Sequence, residues 1–305
     1  MKKAAAIGGL WLLVSVLTGA EELKVATFNV ENYGPADRVT AAGYRKAYPK
    51  PEAAKQALRT ILCGLAADVV VLQEMGGQPY LDELKRDLAA EGLNYPFSVL
   101  LEAEDTDRHV ALLSRRPLKT VVQHTDLAFK YFNVMTAVKR GLLEVVVETA
   151  AGEVTLWTLH LKSRFTDRPD DPMSGKRRAG EATAIRDCVL ARFPDPAQAL
   201  YLIAGDFNDV KTSAAVRYLL KRGKTVIAGL VPIADSHGEA WTYVYRKEDV
   251  YNRVDHVLVS PGLSARVRGG RGIIYDGPGA LEASDHRPVM VTLDLSAKRP
   301  VKSKN

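Results

Sequence analysis

The chain is 305 residues long, 47% hydrophobic and 7% aromatic, with 42 Lys plus Arg against 36 Asp plus Glu, so it can fill a full core and is not disordered as its main state. That length suits one large α/β or all-β unit and argues against a small helical bundle. A formal charge of +6 favours an anionic partner but falls short of the charge of a chromatin or ribosomal protein.

Lys2 and Lys3 precede an apolar run from Ala4 to Leu17, followed by Thr18, Gly19 and Ala20. This is the charged, apolar and small-residue order of a secretory signal, with cleavage expected after Ala20 and a secreted or periplasmic product. The run is shorter than the roughly 20 apolar residues that span a bilayer, so a retained anchor is the lesser reading, and no Cys follows to carry a lipid. Cleavage leaves 40 basic against 36 acidic residues, a charge of +4. Export makes a Cys63–Cys188 disulfide chemically possible. Each Cys sits in a partly apolar helical stretch, however, where a free thiol is the commoner state, and two Cys without a CxxC pair exclude structural zinc and dithiol redox chemistry.

After the signal, strand-like runs alternate with amphipathic helical ones. The patterning predicts a strand over Leu23–Asn29, a helix over Glu52–Ala66, a β-branched buried strand over Asp68–Gln73 and a helix over Tyr80–Ala90. Strands follow at Val110–Ser114, Thr120–Gln123, Leu142–Thr149 and Val154–Leu161, then a helix at Arg178–Arg192, a strand at Leu200–Ala204, a helix at Thr212–Lys221, and strands at Val254–Ser260 and Val289–Leu295. Consecutive strands outnumber what a βαβ repeat supplies, so the class is α/β with much antiparallel sheet. Residues 21–295 read as one domain, and 296–305 as a short basic, flexible tail. Residues 33–50 (Arg38, Arg45, Lys46 and Lys50 among Tyr33, Tyr44 and Tyr48) and 162–178 (Lys162, Arg164, Arg168, Lys176, Arg177, Arg178) read as basic loops. The first interleaves aromatic rings with its charges; such loops suit phosphate and base contacts or are simply solvated. Trp241, Tyr243 and Tyr245 alternate as one strand face packing into the core would.

The chain lacks a GxSxG elbow, a GxxxxGK loop, an HExxH helix and a GxGxxG fingerprint, which removes the usual support for serine-hydrolase and nucleotide-fuelled chemistry. What remains is a set of polar residues at strand ends. Asn29 ends the first strand, where an Asn is ordinarily a turn former. Glu74 directly follows a buried strand, a costly place for a carboxylate that has neither partner nor metal. Asp206 and Asn208 lie in Gly205–Asp209, whose acidic spacing fails as an EF-hand because Val210 stands where an oxygen ligand is needed. His160 ends an alternating strand. Asp255 and His256 open another, on opposite faces, and Ser284, Asp285 and His286 precede the last. His109 is as readily structural as substrate-facing, and His124, His237 and His256 read as structural or exposed. Hard oxygen ligands beside two histidines describe a magnesium, manganese or calcium site with acid/base groups, the equipment for hydrolysing a phosphate ester.

Thr27–Asn32, Leu72–Met75, His109–Arg115, Leu159–Ser163, Gly205–Asp209, Arg253–Ser260 and Ser284–Val289 together resemble the endonuclease/exonuclease/phosphatase superfamily, the DNase I-like phosphoesterases, over essentially the whole of residues 23–295. The resemblance implies a four-layer α/β sandwich of two packed, mainly antiparallel sheets flanked by helices, with the site at one end of the sheets. It also implies Glu74 as principal metal carboxylate, Asn29 beside it, and Asp285 as a further acidic ligand. Asp206 and Asn208 would bind the scissile phosphate and orient water, His286 would be the general base held by Asp255, and His160 a general acid or phosphoryl-oxygen donor; whether Asp206 or His286 takes the water proton stays open. Abasic-site nucleases of the superfamily carry a Tyr-x-Pro-Asn type stretch where this chain has Leu159–Ser163, which disfavours DNA repair.

The expected activity is therefore a divalent-metal-dependent phosphodiesterase, first of all a nuclease with DNA or RNA as substrate. A phospholipid (sphingomyelinase-like) or inositol-phosphate phosphoesterase is the alternative, although no hydrophobic hairpin suited to a lipid surface stands out in the sequence. A catalytically silent binding protein would need a lost site residue, and all eight are present.

Overall fold

Alternation of apolar residues along the strands dictates the layers. A computed structural model of the chain describes residues 21–40, 42–166 and 168–296; the signal segment and all but the first residue of the tail lie outside these. In chain order the elements are β1 (Glu22–Tyr33), β2 (Ala36–Thr40), β3 (Gly43–Tyr48), α1 (Glu52–Leu65), β4 (Val69–Met75), α2 (Gln78–Ala90), β5 (Phe97–Leu101), β6 (His109–Ser114), β7 (Leu118–His124), β8 (Ala128–Tyr131), β9 (Val134–Ala137), β10 (Leu142–Thr149), β11 (Gly152–His160), α3 (Gly175–Arg192) and β12 (Tyr201–Asp206). They continue as α4 (Ala214–Leu220), β13 (Lys221–Arg222), β14 (Thr225–Val226), β15 (Gly229–Leu230), β16 (Ile233–Ala234), β17 (Tyr243–Tyr245), β18 (Val250–Asn252), β19 (Asp255–Val259), α5 (Pro261–Ser264), β20 (Gly272–Ile274) and β21 (Val289–Asp294).

Two sheets carry the architecture, ordered β16-β20-β21-β1-β4-β6-β5 and β15-β19-β12-β11-β10-β7. Val25 and Val71 from the first sheet meet Val145, Leu156 and Leu202 from the second in the central core. Their sequence neighbours face outward: Ala26, Phe28 and Val70 pack with Leu58, Ile61 and Leu62 of α1 and Leu84 of α2, while Trp157 and Ile203 pack with Ile185 and Val189 of α3 and Val216 of α4. The four-layer α/β sandwich is thus written in the period of two along each strand and the i, i+3, i+4 spacing of Leu58, Ile61 and Leu62.

Most strand pairings are antiparallel, but two central ones are parallel: β1 with β4 and β11 with β12. Parallel neighbours bring their carboxyl ends to one edge, and the antiparallel strands beside them, β21 and β19, bring their amino ends to that same edge. The strand ends that carry polar residues therefore converge.

Three sequence expectations need correction. Residues 36–48 form the hairpin β2/β3, with Arg38 opposite Arg45 and Val39 opposite Tyr44; its charges and rings masked a local strand pattern. Lys50 is buried, its Nζ 3.3 Å from the Glu31 carbonyl, so it braces the chain and does not reach out to phosphate. The alternation Trp241, Tyr243, Tyr245 faces away from the core: Val244 between the tyrosines is buried and Tyr245 is exposed, because a period of two reports which residues share a face but not which face meets the interior.

Gly205 shows how tightly β11 and β12 are pressed together. It pairs with Leu159, its φ is +152°, and a Cβ there would lie 2.0 Å from the Leu159 carbonyl oxygen. Gly205→Ala is expected to destabilise the protein by at least about 3 kcal/mol, in the upper range for single substitutions, measured by urea unfolding; a loss under about 1 kcal/mol would contradict this packing.

Candidate active site

All eight residues singled out by the sequence meet at the shared edge. Asn29 and Glu74 lie where the parallel pairing of β1 with β4 breaks register, and His160 and Asp206 end β11 and β12, directly paired in register. Asp255 opens β19 opposite Asp206, Asn208 follows β12, and Asp285 and His286 precede β21. Ser284 fixes that last segment: its Oγ donates to the Asn29 carbonyl at 2.8 Å and accepts from the His286 N–H at 3.0 Å.

The Asp206 carboxylate occupies the middle. Oδ2 accepts from Asn29 Nδ2 at 3.0 Å, Oδ1 accepts from the Asn208 N–H at 2.7 Å, and His160 Nε2 and His286 Nε2 stand 3.5 and 3.9 Å from Oδ2. Burial, then the charge of Asp255, pushes the Asp206 carboxyl up to about 7. His286 Nδ1 is 2.8 Å from Asp255 Oδ2. Burial alone would discharge this ring, but Asp255, with Asp206 and Asp285 beyond it, more than offsets that and holds the imidazole well above its usual range. Thr242, which carried no sequence signal, seats Asp255 by accepting its N–H at 3.1 Å, and the Tyr243 ring lies 4.8 Å from that of His286.

His160 is the opposite case. It is buried, neither ring nitrogen has a hydrogen-bond partner, and burial followed by the charges of Arg140, His286, Arg108 and Lys162 drives it well below its usual range. It is a neutral imidazole with Nε2 4.0 Å from Glu74 Oε1. The chain after it is clamped by three donors: Arg140 Nη1 and Asn208 Nδ2 both to the Leu161 carbonyl, and Arg178 Nη1 to the Lys162 carbonyl.

Glu74 accepts the Asn32 N–H at 3.0 Å. Glu31, Asn32, Glu74 and Asn208 all have φ between +47° and +61°, a left-handed conformation that costs of order 1–3 kcal/mol for a non-glycine residue and concentrates at functional positions. Arg38 Nη2 holds this corner through the Asn32 and Gly34 carbonyls. Asn29 turns its Oδ1 to the Glu31 N–H at 3.0 Å, so in this arrangement its amide braces Asp206.

Glu31, Asn32, Glu74, Asp206, Asn208, Asp285 and His286 line a cavity of about 680 Å³, while Asn29, His160 and Asp255 are buried outside its lining. One wall, unforeseen in the sequence apart from Lys162 and Arg177, carries Arg108, Lys139, Arg140, Lys162 and Arg177; burial and the charges of Arg140 and Arg177 push the Lys162 ammonium down to about 8. An adjoining cavity of about 540 Å³ is lined by Arg164, Phe165, Met173, Tyr243, Tyr245 and Val250 among others. Tyr245, Val250 and Tyr251 are 38%, 40% and 54% exposed, so the hairpin β17/β18 does present apolar and aromatic side chains beside the site, contrary to the expectation of no such hairpin, and Phe165 and Met173 in the loop before α3 are exposed as well. The one set of His and carboxylate donors close enough together to hold a metal among the described residues is Asp206, Asp255 and His286, with ligand atoms within 4.8 Å. Glu74 and Asp285 add hard oxygen donors on the cavity wall, and the donor chemistry fits a divalent cation of the magnesium type.

The fold and this donor set define a phosphoesterase. The model of the Endonuclease/Exonuclease/phosphatase family matches residues 26–286, and the chain belongs to that family as a metal-dependent phosphoester hydrolase. No curated protein matches the sequence. Among solved structures, sphingomyelinase C from Streptomyces griseocarneus is similar with a TM-score of 0.63 at 20% identity, over 90% of this chain and 99% of that one. Truncated TDP2 from Caenorhabditis elegans gives 0.59 at 15% identity over 90% and 97%. A beta toxin from Staphylococcus aureus, with bound magnesium ions, gives 0.59 at 18% over 89% and 99%. At these identities the likeness concerns the fold.

Arg140 is a strut: Nε lies 3.0 Å from Asp105 Oδ2 with both side chains buried. Arg140→Ala leaves that carboxylate unpaired and releases the Leu161 carbonyl, so a loss of about 3–5 kcal/mol is expected, read as a lowered urea midpoint; an unchanged midpoint would remove Arg140 from the support of the His160 strand end.

Proposed function

We propose that the protein is an exported nuclease that hydrolyses phosphodiester bonds of DNA or RNA. Supporting this is the cavity, whose lining joins five cations to the acid and histidine cluster, with the rings of Phe165, Tyr243 and Tyr245 lining it or the adjoining cavity, a combination of charge and aromatic surface suited to a strand of phosphates and bases. Export rests on the N-terminal residues, which lie outside those described.

In this reading Glu74 and Asp285 would hold the divalent cation, while Asn29 braces the Asp206 carboxylate beside it. When bound, the cation polarises a phosphoryl oxygen and stabilises the leaving oxygen. Asp206, held near 7, accepts a water proton at neutral pH, where a base of matched pKa is most effective. His286 stays charged against Asp255 and offers its Nε2 proton to the leaving oxygen, the proton that Asp206 takes from water balancing the one given up. His160, neutral and without a protein partner, donates a hydrogen bond to a phosphoryl oxygen. Asn208 N–H and side chain keep Asp206 and the strand end of His160 in register.

The exposed Phe165, Met173, Val250 and Tyr251 favour one second reading, hydrolysis of a phospholipid at a lipid surface. Purified protein is expected to cut plasmid DNA or RNA in magnesium and to stop in chelator; no metal-dependent cleavage of either, or release of phosphocholine from sphingomyelin vesicles, would reverse the order. His286→Ala should reduce turnover by roughly 10² to 10⁴-fold without altering the circular dichroism spectrum, and near-normal turnover in the folded variant would take His286 out of the mechanism.

A further inference from the structure

The two flanks of the site are chemically different, and sheet order explains why. In the first sheet β4 has β1 and then β21 on one side and β6 on the other; in the second, β12 has β19 on one side and β11, then β10, on the other. The sheets face each other with β19 against β21 and β11 against β4 and β6. The β21/β19 flank therefore supplies His286 and Asp255. The opposite flank receives Arg108 just before β6, Lys139 just before β10 and Lys162 just after β11, three residues far apart in sequence.

Arg140 and Arg177 on this flank are tied to carboxylates, Asp105 at 3.0 Å and Glu181 at 3.6 Å. Arg108, Lys139 and Lys162 make no ion pair with a carboxylate among the described residues. Arg108 Nε donates to Asn32 Oδ1 at 3.0 Å, which aims its guanidinium along the cavity wall. Lys162 Nζ is held by the Phe165 carbonyl and by Ser163. The nearby carboxylates Asp105 and Glu181 are already paired with Arg140 and Arg177, so the three further cations leave an excess of positive charge on this wall that an anion would offset.

Starting from the phosphodiester reading above, we propose that Arg108, Lys139 and Lys162 form a subsite for a second phosphate of the substrate, adjacent to the phosphate being cut. The enzyme then selects substrates with two phosphates a backbone unit apart. A choline headgroup, which carries a cation beside its single phosphate, leaves all three charges unanswered and adds a fourth.

The test compares thymidine 3′,5′-bisphosphate with thymidine 3′-monophosphate and 5′-monophosphate by isothermal titration calorimetry in magnesium. The bisphosphate is expected to bind roughly 10- to 100-fold more tightly than either monophosphate, the range of one to a few hydrogen bonds to a charged group. Lys139→Met and Arg108→Gln should each narrow that ratio and together bring it close to one. Equal wild-type affinities, or a ratio that survives the double substitution, would overturn the subsite. The wild-type comparison needs no variant, so a variant that fails to fold leaves the test standing. Plasmid cleavage without a bisphosphate preference removes the subsite and keeps the nuclease reading; the preference in an enzyme that cuts neither DNA nor RNA does the reverse.

Discussion

The hydrogen bond from Asn29 to Asp206 joins the two sheets at the point where their polar strand ends meet, and the geometry of the site follows from it. Asp206 is buried, so its carboxylate must be surrounded by donors. Asn29 reaches it from the first sheet, the Asn208 amide from the turn beyond β12, and the two histidines approach from either side. A second buried carboxylate, Asp255, stands behind His286. Two acids around one imidazole raise the affinity of the group for a proton, while the cations around His160 lower the affinity of that ring. Two histidines at one site are thereby set to opposite charge states by their neighbours.

That opposition grows out of topology. Parallel pairing at the centre of each sheet brings Asn29, Glu74, His160 and Asp206 to one edge, and antiparallel strands on one flank add Asp255 and His286. The other flank contributes loops, and those loops carry Arg108, Lys139 and Arg140. Acidic and histidine groups thus sit centrally and to one side, with arginine and lysine at the other. The left-handed residues Glu31, Asn32, Glu74 and Asn208 mark where the backbone leaves regular pairing to aim these groups.

The central strands, the four longer helices and the eight convergent residues were legible because each rests on a local signal: β-branched runs such as Val69–Val71, a period of two in β10 and β11, and polar residues placed where an apolar run stops. Phe97–Leu101 escaped because a five-residue apolar segment carries no periodicity that separates strand from helix. Arg108, Lys139 and Arg140 escaped for a different reason. Each lies in a connection, and what brings them together is the order of β6, β10 and β11 across two sheets, which no local pattern encodes. Tyr243 falls between: its strand was visible, its orientation was not.

The two cysteines belong to different layers. Cys63 packs with the α1/α2 side of the first sheet and Cys188 with the α3/α4 side of the second, and both are free thiols. Two sheets and the core between them separate these positions, so no disulfide can close without dismantling the sandwich. The packing of the sandwich consequently rests on no bridge between these two thiols, and its refolding calls for neither an oxidant nor a disulfide isomerase to form one.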